Sequence, residues 1–230
     1  MKISSYDNCT GCGACANLCP RGCIQMKPDE NGELHPSIDD KKCVGCKKCI
    51  VRCPANNELV FRSPMKVYAS WRKNYADMRD SASGGVAAAL SENWIKQGGI
   101  VFGTKYDDTF RTVIHGEETL EGIEAFKGSK YVQSYTGNSY NEVKELLKQG
   151  KKVLYFGTPC QLAGLYAVVD REAVNLLTVE ILCHGVSSNE YLQEQLRYIE
   201  DKIHIKKYDN VTFRTNRWMM DFYFGLWNEG

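Results

Sequence analysis

The chain has 230 residues, 43% of them hydrophobic, with 29 basic against 28 acidic groups and 11 cysteines, nine of which precede residue 54. The ordinary apolar fraction excludes a disordered or fibrous chain, and the length allows one large domain or a small one followed by a medium one. A formal charge of +1, with the basic residues not gathered into a block, gives no electrostatic reason to expect nucleic acid or an anionic membrane surface.

Met1-Lys2-Ile3-Ser4-Ser5-Tyr6-Asp7 has no apolar leader region, and no later stretch approaches the ~18 apolar residues of a spanning helix. A cytoplasmic protein is expected, in which thiols stay reduced and a dense cysteine cluster points to metal rather than to disulfides. Cys9-x2-Cys12-x2-Cys15-x3-Cys19-Pro20 recurs as Cys43-x2-Cys46-x2-Cys49-x3-Cys53-Pro54, so residues 1–60 read as two copies of one unit of loop, short helix and strand. Between the copies, Asn31-Gly32 predicts a hairpin turn joining Ile24–Met26 to Leu34–Pro36. Residues 61–80 read as a linker with an edge strand at Lys66–Trp71. Over 81–230 helices alternate with apolar strands. Ser83-Gly84-Gly85 opens a helix with Val86, Ala89, Leu90 and Trp94 on its inner face, ended by Gly98-Gly99. Ile100–Gly103, Thr112–His115, Val153–Phe156 and Leu176–Leu182 read as strands, and the unbroken apolar run Val153–Phe156 predicts burial on both faces. Val143, Leu146 and Leu147 mark a helix closed by Gly150. Ser187-x-x-Glu190 is a capping box opening another helix with Leu192, Leu196 and Ile199 on one side. Phe213–Trp227 reads as one or two strands of an unfinished pair, with Trp218 and Trp227 in the core, and His115 and His204 as surface side chains. The fold class expected is α/β: a small α+β unit followed by an α/β domain with a largely parallel sheet.

The cysteine spacing carries the most specific chemistry. A [4Fe–4S] cube needs four thiolates, and the x2, x2 spacing folds three of them around one core. The fourth, followed by proline, points away and serves the other cube in two-cluster proteins. Cys9, Cys12, Cys15 and Cys53 are therefore assigned to one cluster, and Cys43, Cys46, Cys49 and Cys19 to the other, with Gly11 and Gly45 letting the backbone approach the sulfides. Zinc on paired C-x2-C knuckles explains neither the third cysteine of each run nor the prolines. Two oxidised cubes with eight thiolates bring about −4, so the loaded chain is mildly acidic. Cys23 lies outside the motif and reads as packing.

After residue 80, three segments carry polar chemistry. Ser81-Ala82-Ser83-Gly84-Gly85 offers free N–H groups at a helix N-terminus, which suits a phosphate as well as plain packing. Lys127-Gly128-Ser129-Lys130-Tyr131-Val132-Gln133-Ser134 combines cations, hydroxyls and a ring. Gly157-Thr158-Pro159-Cys160-Gln161 and Cys183-His184-Gly185 each follow a strand, at the carboxyl edge where open α/β sheets bind ligands. Cys160 is open to three readings: cluster ligand, a nucleophilic or redox thiol paired with His184, or an inert buried thiol.

Residues 1 to about 55 resemble bacterial two-cluster ferredoxins. From residue 66 to about 227, the order of Ser81-x-Ser83-Gly84-Gly85, Gly128-Ser129-Lys130-Tyr131, Gly157-Thr158-Pro159-Cys160-Gln161 and Cys183-His184-Gly185 resembles the family of beta subunits of coenzyme F-420 (deazaflavin) reducing hydrogenases and dehydrogenases. That resemblance implies an iron–sulfur flavoprotein oxidoreductase subunit passing electrons between [4Fe–4S] clusters, FAD, and a deazaflavin or other hydride carrier, with a partner redox protein or subunit. It implies FAD contacts from Ser83, Gly84, Gly85, Ser129, Lys130 and Tyr131, with Ser81 and Gly128 in the same segments. It also implies that Cys160 and Cys183 are two ligands of a third [4Fe–4S] cluster whose other ligands form a C-x2-C pair in the family's later half. The present sequence has no such pair, so a fragment, or a chain without that cluster, is expected. A non-enzymatic electron carrier or docking module is the rival reading.

Overall fold

The computed structural model describes residues 1–58, 62–79, 81–205, 207–214 and 224–227. Each cysteine run bends through a left-handed glycine, Gly11 at φ 65° and Gly45 at φ 68°, and then forms a short helix, α1 (Ala14–Leu18) and α2 (Lys48–Val51). Gly32, at φ 78°, closes the expected hairpin of β1 (Ile24–Pro28) and β2 (Leu34–Ile38), which pair antiparallel. Both strands therefore lie between the runs, so the second copy has its strand before its loop.

The expected edge strand at Lys66–Trp71 does not form. Among the described residues that stretch has no strand partner, and Val67, Tyr68 and Trp71 are exposed. It is pinned at its end, where the Arg72 N–H donates to the Gly84 carbonyl at 2.9 Å. A short helix that the sequence pattern did not suggest, α3 (Tyr75–Arg79), follows.

Helix α4 (Val86–Lys96) leads into a four-stranded sheet of β3 (Ile100–Tyr106), β4 (Thr112–Glu117), β5 (Val153–Gly157) and β6 (Leu176–Glu180). The order is β4-β3-β5-β6, with β3, β5 and β6 parallel and β4 antiparallel to β3. The α/β class is thus as expected. Every residue of β5 is buried, as its unbroken apolar run requires. Alternation sends Phe102 and Tyr155 into a core shared with α5 (Ser139–Lys148) and α6 (Pro159–Val168), and sends Val101 and Leu154 to the opposite face. Each such buried side chain is worth about 1.5–3 kcal/mol.

The sheet core reaches into the cysteine-rich unit. Ala14, 1% exposed, belongs to the Phe102–Tyr155 core, with Cys12 and Leu18 packed against it. One apolar core therefore spans both halves of the chain.

Three local expectations are corrected. Val86, Ala89 and Leu90 of α4 face outward, while Ser91 is buried and Trp94 and Ile95 half-buried. Gly99 sits directly against the Trp94 ring, and that close packing orients the helix, because an alanine-rich surface has little amphipathic moment of its own. Helix α7 (Asn189–Ile203) is capped by Ser188 rather than Ser187: the Ser188 hydroxyl accepts from the Tyr191 N–H, whereas the Ser187 hydroxyl donates to the Tyr131 carbonyl. Trp227 is 53% exposed, not core; it ends β8 (Gly225–Trp227), which pairs with β7 (Asn210–Thr212). Trp218 lies outside the described residues. Leu192 and Leu196 are buried on α7, and His115 and His204 are exposed, as read. Among the described residues, no helix is long and apolar enough to cross a membrane.

Candidate metal centres and the edge of the sheet

Cys9, Cys12, Cys15 and Cys53 line one cavity of about 550 Å³, so the last cysteine of the second run joins the first three of the first. Four converging thiols fit a [4Fe–4S] cube in number and softness. Burial pushes the thiols of Cys12 up to about 11 and of Cys15 up to about 12. They are neutral at pH 7 by themselves, and a cationic core at the same point is what deprotonates such groups.

The sheet side of the molecule holds this quartet in place. The Thr136 hydroxyl donates to the Cys12 carbonyl at 3.2 Å, and the Tyr140 hydroxyl lies 2.9 Å from the carbonyls of both Cys12 and Gln161. Gln133 donates to the Thr10 carbonyl at 3.0 Å. Asn17 donates to the Gly137 carbonyl at 2.8 Å, and Asn141 donates to the Asn17 carbonyl at 3.0 Å. Gly164 is required on α6 because a side chain there would meet the Tyr140 hydroxyl at 2.8 Å and Cys12 Cβ at 3.2 Å. Helix α6 begins in a capping arrangement, the Thr158 N–H donating to the Gln161 side chain at 2.9 Å. Its first turn, Pro159 and Cys160, lines the cavity, and Arg52, next to Cys53, donates to the Ala167 carbonyl at its other end at 3.0 Å. The positive end of the helix dipole therefore faces the thiols and a cation sits at the negative end.

Cys43, Cys46 and Cys49 share a second, narrow cavity of about 20 Å³ with Cys19 of the first run. Cys46 is exposed. Burial pushes the Cys19 thiol up, but hydrogen bonds from Cys23 and from the N–H groups of Arg21 and Gly22 outweigh it and leave Cys19 below the ordinary thiol value. Cys23 lies 3.2 Å from Cys19, sulfur to sulfur, and its hydrogen bond to Cys19, followed by burial, pushes its own thiol up to about 12. It is a protonated donor packed with Ile3, Ile24 and Met26, in line with its reading as packing.

At the carboxyl edge of the sheet, β5 runs into Thr158–Gln161 and β6 into Cys183–Gly185, with the Ile181 N–H donating to the Gly157 carbonyl at 2.9 Å. Their cysteines part company: Cys160 faces the first quartet, while Cys183 is exposed on its loop. Of the groups matched to flavin contact, Ser83, Gly128 and Tyr131 are exposed and Ser129 half-buried. Ser81 is buried and donates to the Asp77 carbonyl, and Gly85 ends a left-handed turn at φ 71°. Gly84 lies under Ser70 and Trp71, where a Cβ would come within 2.5 Å of the Ser70 carbonyl oxygen. The Lys130 amine is bound by the carbonyls of Lys127, Ala125 and Gly128 at 3.0, 3.1 and 3.5 Å, and burial lowers it to about 8.

Residues 8–57 match the model of a 4Fe-4S dicluster domain, residues 35–97 a second dicluster model, and residues 150–224 the model for the C terminus of the coenzyme F420 hydrogenase/dehydrogenase beta subunit. Over 213 residues, 85% of this chain and 60% of the relative, the sequence is 22% identical to the F subunit of the F(420)H(2) dehydrogenase of Methanosarcina mazei. Over residues 150–224 the chain is thus similar to the C-terminal part of coenzyme F420 hydrogenase/dehydrogenase beta subunits. Its front part is a 4Fe-4S dicluster unit, with [4Fe–4S] clusters as cofactors. An uncharacterized ferredoxin of Methanocaldococcus jannaschii is 41% identical over 58 residues, 25% of this chain and 74% of the ferredoxin. A chain of the F420-reducing [NiFe] hydrogenase complex from Methanosarcina barkeri superposes on 70% of this chain and 58% of its own length, with a TM-score of 0.48 and 19% identity. The match to the Methanosarcina mazei relative thus spans about 60% of that protein's length.

Sequence reasoning missed the residues that seat the first quartet: Thr136, Tyr140, Asn141 and Gly164. Their partners in the first cysteine run lie more than 100 positions away, so no spacing signals them. The placement of Cys160 beside Cys12 had no local signal either.

Proposed function

We propose that this chain is an electron-transfer subunit with an outer [4Fe–4S] cluster on Cys43, Cys46, Cys49 and Cys19, an inner one on Cys9, Cys12, Cys15 and Cys53, and FAD at the carboxyl edge of the sheet. The observation that carries the reading is the inner quartet's position against the first turn of α6, the helix that follows β5 at its carboxyl end. Bound, the clusters supply one-electron transfer and FAD the conversion between one- and two-electron steps. The chain's own work is positioning: Thr136 and Tyr140 fix the Cys12 loop, Arg52 ties the Cys53 segment to α6, and Gly11 and Gly45 bring N–H groups toward the thiols. With Gly84 and Lys130 committed to the fold, FAD contact falls to Ser83, Ser129, Tyr131 and the N–H groups ahead of α4. A deazaflavin or other hydride carrier is the expected two-electron partner, and Cys160 with Cys183 are the family-type ligands of a further cluster.

Anaerobic reconstitution followed by iron, sulfide and flavin analysis tests this. About eight irons and a bound flavin are expected; iron without flavin under any condition removes the flavin half. The engagement of Gly84 and Lys130 favours a second reading, an electron carrier without flavin. Reduction of an artificial acceptor by a nicotinamide or deazaflavin donor separates the two, since a pure carrier has no such activity.

A further inference from the structure

Four lysines, Lys41, Lys42, Lys47 and Lys48, flank the second cysteine run in the sequence, and the fold brings Arg21 to them. Arg21, Lys47 and Lys48 line the outer cavity with Cys19, Cys43, Cys46 and Cys49, and Lys41 and Lys42 stand immediately before Cys43. All five cations are exposed. The nearby acids are engaged, Asp39 with Lys42 at 3.4 Å and Asp40 with the Met1 amine at 3.8 Å. Arg21, Lys41, Lys47 and Lys48 have no ion-pair partner among the described residues. Val44, 62% exposed, lines the same cavity, and Val51, 65% exposed, lies one turn after Lys48 in α2. The inner cavity is the reverse: Asp7 is its one charged lining residue, and the first turn of α6 forms part of its wall.

An apolar centre beside an exposed ligand cysteine, ringed by unpaired cations, has the anatomy of an interface core and rim. We infer that the face around Cys46 is the docking surface for an acidic one-electron carrier protein. A loaded outer cluster brings about −2 on its four thiolates, which offsets only part of this positive charge; a neutral partner would bury the remainder without counter-charges, whereas an acidic one supplies them and is steered onto the face by the field. On contact, one electron leaves the reduced centre of the carrier and one [4Fe–4S] core on Cys43, Cys46, Cys49 and Cys19 gains it; no bond breaks and no proton moves. The inference rests on the iron–sulfur reading above and adds the partner to it.

The test uses the full chain with both clusters reconstituted and an acidic dicluster ferredoxin as probe. Calorimetry measures binding of the oxidised ferredoxin, and freeze-quenched electron paramagnetic resonance follows the transfer of one electron from the reduced ferredoxin to the chain's cluster. Raising salt from ~20 to ~500 mM is expected to slow transfer and weaken binding about tenfold or more. Replacing both lysines, Lys47→Glu with Lys48→Glu, is expected to produce a similar loss at low salt and to abolish most of the salt dependence, while dithionite bleaches both chains alike. Salt-independent binding in the unsubstituted chain, or equal binding by the double variant, overturns the docking surface and leaves the clusters standing. If the double variant fails to load, the salt dependence of the unsubstituted chain decides. A chain that takes up no iron, or does not bleach with dithionite, overturns the iron–sulfur reading and the inference with it. Capture by phosphatidylserine vesicles without ferredoxin binding assigns the face to lipid and also overturns the inference.

Discussion

The two thiol quartets come from one repeated cysteine run, yet they have opposite surroundings. Gly11 and Gly45 occupy equivalent places and share a left-handed backbone, at φ 65° and 68°. A Cβ on Gly11 would meet the Gln133 side chain at 2.6 Å and the Leu34 carbonyl at 2.8 Å, whereas one on Gly45 would meet nothing within 4 Å. The local requirement, a positive φ that turns the chain back on the metal, is the same in both copies. What differs is whether the rest of the protein is pressed against the loop. A duplicated motif therefore supplies two equivalent sets of thiols, and packing braces one loop against the rest of the protein while leaving the other free of such contact.

The comparison is broken most severely at the ligands. Cys12→Ser and Cys46→Ser are each expected to lower iron from about eight per chain to about four. Cys12→Ser should also lower the thermal midpoint further, because the Cys12 loop packs into the shared core; equal midpoints would show that the inner loop is not braced by the sheet. Alanine at the paired glycines sharpens the contrast. Both variants carry the strain of positive φ, on the order of 1 kcal/mol, and Gly11→Ala adds about 1–3 kcal/mol of overpacking. Urea unfolding should rank Gly11→Ala clearly below Gly45→Ala.

Tyr140→Phe removes the hydroxyl shared by the Cys12 and Gln161 carbonyls and is expected to cost about 1–3 kcal/mol. On titration with iron and sulfide, the inner site should load less firmly than the outer one.

The smallest effect concerns the contact of the β1–β2 hairpin with α7, where Gly32 lies against Ser188 and Glu190. Arg111 pairs with Glu190 at 2.6 Å and holds its carboxyl below the ordinary value of 4.5. A carboxylate depressed in the folded state stabilises above its unfolded value and loses that contribution as the pH falls through the folded one. Because the pair is partly solvated, the loss is at most about 1 kcal/mol. Glu190→Gln should flatten this part of the acid limb below pH ~4.5 in a pH series of melting curves.

Much of the fold was legible where the signal is local. Asn31-Gly32 marked the hairpin, and the apolar run at Val153–Phe156 marked a strand buried on both faces. Legibility failed where partners decide. Lys66–Trp71 has strand-forming residues but no strand partner among the described residues, and the orientation of α4 follows from Gly99 against Trp94 rather than from its periodicity. Ser188 rather than Ser187 became the cap because the Ser187 hydroxyl is engaged with the Tyr131 carbonyl. At the candidate site, the eight thiols and their crossing between runs were readable from spacing. Thr136, Tyr140 and Gly164, which seat the inner loop, were not.

By itself the sequence determined the kind and number of metal donors, the turns that present them, and the alternation of helix and strand behind them. Those features depend on residues within a few positions of one another, where covalent geometry limits the outcomes. The tertiary structure alone decided which quartet is braced by the sheet, that Cys160 joins it while Cys183 stays outside, and that Arg21 comes to the lysines flanking Cys46. These arrangements rest on contacts between residues far apart in the chain, for which no local period exists and which only the packing of one shared core brings together.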